Sequence, residues 1–82
     1  MNKEQMLKRI VTDQDAMVGK PVIRGTRLTV EYILGLLAQG ATHKEIMDEY
    51  PGVTEEDIQA CLLFAAKSLE DTDFMPLSKG AA

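Results

Sequence analysis

The sequence predicts a mainly α-helical domain, in which three helices form a helix-turn-helix bundle behind short N-terminal β-strands. Three observations support this fold class. The chain has 82 residues, which is the size of one domain. The stretch from residue 9 to residue 28 is rich in β-branched residues and is interrupted by glycine and proline. From residue 29 onward, apolar residues recur at the spacing of three and four that places them on one face of a helix.

The N-terminal strands are predicted from RIVT, residues 9–12, and from GKPVIRGTRLTV, residues 19–30. A nucleotide-binding phosphate loop needs lysine and then serine or threonine after its second glycine, whereas Thr26 directly follows Gly25 here. Extended structure is favoured instead, because the residue before Pro21 is pushed away from helix and Gly25 suits a tight turn. Strands this short are not stable by themselves, so we expect them to pair across a homodimer as intertwined ribbons.

The first helix follows Thr29, whose side-chain oxygen can cap the first-turn amides. One apolar stripe runs along this helix and consists of Val30, Ile33, Leu34 and Leu37. Gly40 ends the helix, because glycine readily adopts the left-handed conformation that follows many helices. Leu36 lies off the stripe and indicates a second apolar contact.

The second and third helices begin with similar capping patterns. Thr42 and Glu45 are three residues apart, which lets each side chain bond to the other's backbone amide. Pro51 ends the second helix, because it disfavours helix in the residue before it. Thr54 and Asp57 repeat the pattern at the start of the third helix. The core-facing residues of the third helix are predicted to be Ile58, Cys61, Leu62, Ala65 and Leu69.

A dimer interface is predicted on the third helix, because this helix is apolar nearly all round between residues 60 and 66. A chain with no tryptophan and two phenylalanines has a small core of its own. We expect a second copy to cover Leu36, Leu63 and Phe64. The alternative is that the N-terminal segment folds back over Leu63 and Phe64. The predicted divisions are an N-terminal extension (1–8), the strand and helix-turn-helix domain (9–69) and a flexible C-terminal tail (70–82).

Charge is distributed unevenly along the chain, whose net charge is −4. Residues 1–30 have six basic and three acidic side chains, whereas residues 31–82 have three basic and ten acidic ones. This asymmetry indicates two surfaces with different partners; the alternative is ordinary solvated charge. The helix that would normally enter a DNA groove begins with three acids, at residues 55–57, which a polyanion repels. DNA contacts are therefore predicted in the basic part, at Arg9, Lys20, Arg24 and Arg27.

Catalysis is not expected of this chain, which has one histidine and one cysteine. His43 falls in the first turn of a helix, where a solvated histidine is more common than a catalytic base, and Cys61 lies on the core stripe as a small apolar residue. We expect no catalytic residue, no cofactor and no metal. No apolar run approaches the ~20 residues of a membrane span, and the N-terminus lacks the features of a signal peptide. With one cysteine and no internal disulfide, we expect a cytoplasmic protein without a membrane partner.

The run GKPVIRGTR followed by LTVEYILGLLAQGATHKEIMDEYPGVTEEDIQACLLFAA resembles the bacterial and archaeal family known as domain of unknown function 433, from residue 9 to about residue 67. The matching positions are Gly19, Lys20, Pro21, Gly25, Thr26 and Arg27. The resemblance implies a homeodomain-like helix-turn-helix fold. It also implies an antitoxin encoded beside a PIN-like nuclease toxin, which represses its own operon. It transfers no catalytic residues.

Two functions are therefore predicted. The first is an antitoxin that binds the nuclease, with the tail residues Phe74, Met75 and Leu77 ordering on that partner; the alternative for the tail is a frayed terminus. The second is a DNA-binding regulator that uses the basic residues, either on its operator as an antitoxin or without any toxin. A structural dimerisation module is the remaining alternative.

Overall fold

The structure, a computed structural model, describes residues 2–12 and 19–70. Its elements in these ranges are α1 (Lys3–Leu7), β1 (Ile10–Thr12), β2 (Pro21–Ile23), α2 (Val30–Ala38), α3 (His43–Glu49) and α4 (Glu55–Glu70). The mainly α-helical class with short N-terminal strands is therefore confirmed. Helices α2, α3 and α4 are the three that were predicted, whereas α1 is a fourth helix that lies in the predicted extension. None of the helices in these ranges combines the length and the apolarity that crossing a bilayer requires.

The two strands pair with each other within one chain. Strand β1 runs antiparallel to β2, with Ile10 opposite Ile23. Gly25 has a φ of +83°, and the backbone amide of Thr26 donates to the carbonyl of Ile23 over 3.0 Å, which closes the turn predicted there. The two strands thus have partners within the chain, and pairing with strands of a second copy stays a prediction. The sheet is stabilised within the chain because β2 packs against α2 and β1 against α4.

The predicted helix boundaries are confirmed by the capping contacts. Thr29 Oγ1 accepts a first-turn amide of α2 over 2.9 Å. Thr42 and Glu45 form the reciprocal capping box of α3, with bonds of 3.0 and 2.8 Å. Gly40, directly after the end of α2, has a φ of +100°. These local patterns fix where each helix starts and stops before any tertiary packing is considered.

The core is aliphatic and lies where β2 and the last three helices meet. Its buried members are Ile23, Val30, Ile33, Ile46, Val53, Ile58 and Cys61. Part-buried side chains, including Leu36 and Phe64, pack around this cluster. The cluster contains no aromatic ring, so its stability comes from close packing of branched side chains.

Helix α4 is rotated from the orientation that its sequence predicts. Leu62 and Leu69, predicted to face the core, are 43% and 56% exposed, whereas Ala60, which is not among the residues predicted to face the core, is fully buried. The rotation turns Asp57 inward, where its carboxylate bonds to Arg9 at the end of α1. Helix α1 and strand β1 both pack on α4. The N-terminal segment therefore folds back onto this helix, whereas the covering of Leu63 and Phe64, by that segment or by a second copy, stays a prediction.

Candidate interaction surfaces

An apolar groove lies between the start of β2, helix α2 and the C-terminal half of α4. Its volume is about 380 Å³, and its lining is Pro21, Val30, Glu31, Leu34, Phe64, Ala65, Ser68 and Leu69. An isolated exposed leucine needs no explanation, but a continuous apolar lining on a small domain indicates a surface that binds something. We call it the α2–α4 groove.

The α2–α4 groove is open because α4 extends past the core. Phe64 contacts the core cluster and the groove at once, whereas Leu69, one turn and a half further on, is more than half exposed. Helix α4 ends at Glu70, next to Leu69 of the groove. The predicted toxin contacts Phe74, Met75 and Leu77 lie in residues 71–82, outside the described residues.

A second depression, which we call the basic cleft, lies between α1, the turn after β2 and the start of α4. It measures about 490 Å³ and is lined by Gln5, Lys8, Arg9, Arg24, Gly52, Thr54 and Asp57. The backbone amide of Arg24 donates to the carbonyl of Arg9 over 2.7 Å and so holds the two arginines side by side. Three cations therefore face one carboxylate.

That carboxylate, on Asp57, is already engaged. Arg9 Nη1 donates to Asp57 Oδ1 over 3.0 Å, and the backbone amide of Thr54 donates to Asp57 Oδ2 over 3.0 Å. Arg9 Nε is buried and has no hydrogen-bond partner among the described residues. Lys8 and Arg24 are both exposed, and no acidic side chain in residues 2–12 and 19–70 pairs with either of them, so within this part of the chain their charges face solvent.

The four predicted DNA contacts do not form one site. Arg9 and Arg24 meet in the basic cleft, whereas Lys20 Nζ pairs with Glu31 Oε1 over 2.9 Å and Arg27 lines a different depression. Lys8 was not predicted as a contact. No helical pattern was assigned to residues 1–8, and α1 is what brings Lys8 beside the two arginines.

The third surface, which we call the tyrosine face, is centred on Tyr32 of α2 and Tyr50 after α3. Their rings pack edge to face, with centroids 5.9 Å apart, and their hydroxyls are hydrogen-bonded. The hydrogen bond with Tyr32, desolvation and the charge of Glu49 raise the pKa of Tyr50. A depression of about 520 Å³ on one side of the pair is also lined by Leu36, Gln39, Gly40, Ala41, Glu45, Ile46 and Glu49. A depression of about 370 Å³ on the other side is lined by Arg27, Leu28 and Thr29.

The three predicted dimer contacts are distributed over different surfaces. Leu36 lines the tyrosine face, Phe64 lines the α2–α4 groove, and Leu63 is half-buried but lines neither. The sequence contains no local pattern that connects Tyr32 with Tyr50, because they are 18 positions apart and meet only when α2 packs on α3.

The polar side chains most able to do chemistry have structural surroundings. Cys61 is fully buried, and burial followed by the charge of Asp57 raises the pKa of its thiol to about 12. His43 Nδ1 lies 2.7 Å from Glu55 Oε2 and links the starts of α3 and α4. Within residues 2–12 and 19–70, no cluster of three or more His, Cys, Asp or Glu side chains is placed to hold a metal ion.

The family described as protein of unknown function (DUF433) matches residues 10–65. The chain belongs to the DUF433 family. A solved crystal structure of a DUF433 member from Anabaena variabilis ATCC 29413 is similar to this fold, with 34% sequence identity and a TM-score of 0.71. The similarity covers 82% of this chain and 67% of that one. No curated protein matches the chain.

The DUF433 match spans β1, β2, α2, α3 and most of α4, and it leaves α1 outside. It includes both tyrosines and Phe64, so it covers the tyrosine face and the inner part of the α2–α4 groove. Lys8 and Arg9 precede it, and Leu69 follows it. The basic cleft is therefore assembled by packing a segment from outside the DUF433 match onto one from inside it.

Proposed function

We propose that this DUF433 protein is an antitoxin that binds and neutralises a PIN-like nuclease toxin. The α2–α4 groove is the observation that supports this proposal most, because it is an apolar site without an occupant among the described residues. The tail that follows α4 supplies Phe74, Met75 and Leu77 as further contacts. A nuclease must attract a polyanion, so a chain with a net charge of −4 is electrostatically suited to hold its cationic surface.

The proposed activity is binding and not catalysis. Helices α2, α3 and α4 are proposed to form the homeodomain-like unit, and the protein is proposed to act in the cytoplasm. In this proposal, α2 and α4 present the groove as two rigid walls, whereas the tail orders when the toxin binds. A pre-formed groove lowers the entropy cost of binding, and an ordering tail adds contact area at some cost in affinity.

Co-expression with a PIN-like nuclease tests the proposal. We expect a stable complex and loss of nuclease activity with the full chain. Leu69→Glu places a charge in the groove, and because Leu69 is 56% exposed the change leaves the fold intact. Leu62→Glu is the matched control, since Leu62 lies on the same helix, is 43% exposed and does not line the groove. A chain ended after Glu70 measures the part played by the tail.

The expected order of neutralisation is full chain and Leu62→Glu first, the truncated chain next and Leu69→Glu last. Separate elution of the two purified proteins, with nuclease activity persisting, contradicts the antitoxin proposal. If Leu69→Glu and Leu62→Glu lose nuclease neutralisation equally, the α2–α4 groove is not the toxin-binding site. This result does not contradict the antitoxin function itself.

Operator binding is the second candidate function, and the basic cleft favours it. The cleft brings Lys8, Arg9 and Arg24 beside the turn between α3 and α4, where a phosphate backbone can reach them. We expect binding to the DNA upstream of the protein's own gene, with an affinity that falls steeply as salt rises. Arg24→Ala should weaken it, whereas Lys44→Ala, outside the cleft, should not. Binding that is absent or insensitive to salt contradicts this candidate.

A further inference from the structure

The tyrosine face has opposite charges at its two ends. Arg27 lines only the depression on one side of the tyrosine pair, and Glu49 lines only the depression on the other side. Both side chains are exposed, and within residues 2–12 and 19–70 neither has a hydrogen-bond or ion-pair partner. Two free charges of opposite sign therefore flank an aromatic centre.

We infer that the tyrosine face is the contact between two copies of this chain. In a two-fold dimer, each copy presents the same patch, and residue i of one copy meets residue j of the other while j meets i. An axis through the tyrosine pair turns the basic end of one copy onto the acidic end of its partner. Each Arg27 then faces the partner's Glu49, and the ion pair occurs twice.

The centre of the face has the composition of an interface core. Tyrosine is enriched in such cores because its ring is apolar while its hydroxyl bonds at the edge, and Tyr32 is 45% exposed in the single chain. Leu36 lies beside it, and the buried Ile46 forms the floor. This arrangement retains Leu36 as a dimer contact and removes Leu63 and Phe64 from that role.

The charges at the two ends of the tyrosine face complement those of a second copy, and this favours a second copy over a different protein as the partner. A face that recruits a uniformly acidic or basic protein has one sign of charge, whereas here the two signs are separated by the tyrosines. The basic cleft and the α2–α4 groove are lined by other residues, so a dimer formed this way leaves both open. The inference does not depend on the proposed antitoxin function.

Sedimentation equilibrium of the full chain, at several concentrations, tests the inference. We expect a reversible dimer for the natural sequence. Arg27→Glu and Glu49→Arg should each raise the dimer dissociation constant by about tenfold or more, because each places like charges opposite one another twice. The combined variant restores opposite charges and should return to within about threefold of the natural value. Arg24→Glu makes the same charge change in the basic cleft and should leave the dimer unchanged.

A second measurement does not depend on charge. Arg27→Cys combined with Glu49→Cys should give a covalent dimer on mild oxidation, because the buried Cys61 is out of reach and each new thiol faces a new thiol of the partner across the proposed axis. Helical circular dichroism confirms that each variant is folded. A natural chain that stays monomeric, a dimer that ignores both single charge reversals, or a combined variant that fails to recover overturns the inference. If the natural chain stays monomeric, the tyrosine face would instead bind a different protein.

Discussion

Asp57→Ala should be among the most destabilising single changes outside the apolar core. The carboxylate of Asp57 has two functions in the structure. It accepts the backbone amide of Thr54 and so caps α4, and it pairs with Arg9 and so fastens α1 to α4. The side chain of Asp57 is 9% exposed and that of Arg9 is 32% exposed.

The expected magnitude follows from these two contacts. Loss of the cap costs about 1 kcal/mol of unfolding free energy. Leaving a guanidinium without its partner costs several kcal/mol in a dry interior, but Arg9 is one-third exposed and water recovers part of this, so about 1–2 kcal/mol is expected. The total of about 2–3 kcal/mol corresponds to a fall in Tm of roughly 8–24 °C for a domain of this size.

Urea unfolding measures this prediction, and two further variants separate the contributions. Asp57→Asn keeps an oxygen for the Thr54 amide and removes the charge, so it should cost about 1–2 kcal/mol. Arg9→Met, alone and combined with Asp57→Asn, completes a double-mutant cycle. We expect a coupling energy of about 1 kcal/mol or more. Coupling below about 0.5 kcal/mol, or an Asp57→Asn variant as unstable as Asp57→Ala, refutes the assignment of two separate contributions.

Two further predictions concern stability. Gly25→Ala should lower the unfolding free energy by about 1 kcal/mol, because Gly25 has a φ of +83°. Gly35→Ala should raise it by up to about 1 kcal/mol, because alanine favours helix and the added methyl group meets nothing within 4 Å inside α2. Urea unfolding measures both changes, and equal effects of the two variants contradict this prediction. The raised pKa of Cys61 means that the unfolded chain loses the thiol proton first, so stability should fall as pH rises from 9.0 towards 12. Over this range the fall should be steeper in the natural chain than in Cys61→Ala by up to about 1.4 kcal/mol per pH unit.

Sequence patterns located the elements well because those patterns are local. Thr29 and the Thr42–Glu45 box satisfy orphan amides of their own helices, and Gly25 and Gly40 adopt the positive φ that their turns need. Each of these features depends on residues a few positions apart. They could therefore be predicted without knowing what packs where.

The orientation of α4 could not be predicted in the same way. Its apolar residues surround it nearly completely, so the pattern allows more than one face to point inward. The choice depends on Arg9, which is 48 positions away from Asp57 and meets it only because α1 folds back. The tyrosine face and the basic cleft have the same origin, since each joins residues from separate elements. Arg9 and Arg24 could therefore be named from the sequence, whereas Lys8 and the grouping of residues into sites could not.

The start of α4 repels DNA less strongly than its three consecutive acids indicate. Three consecutive acids predict repulsion of a polyanion. In the structure, Asp57 points inward to Arg9, and Glu55 is held by His43 and Gln59. The acids are thus largely committed to contacts within the fold, while Lys8 and Arg24 face outward beside them. The cleft next to α4, and not the outer face of the helix, is where a phosphate contact is electrostatically favourable.

Lys8→Ala tests this account of the charges. Lys8 lines the basic cleft, and removing one phosphate contact should weaken operator binding for every DNA sequence alike. It should also reduce the slope of log affinity against log salt by about one, which fluorescence anisotropy over a salt series measures. Lys44→Ala is the control, since Lys44 is also an exposed lysine and pairs with Asp48 on α3, away from the cleft. An equal effect of both lysines means that the protein binds DNA only through its overall charge, and the cleft is then not the site.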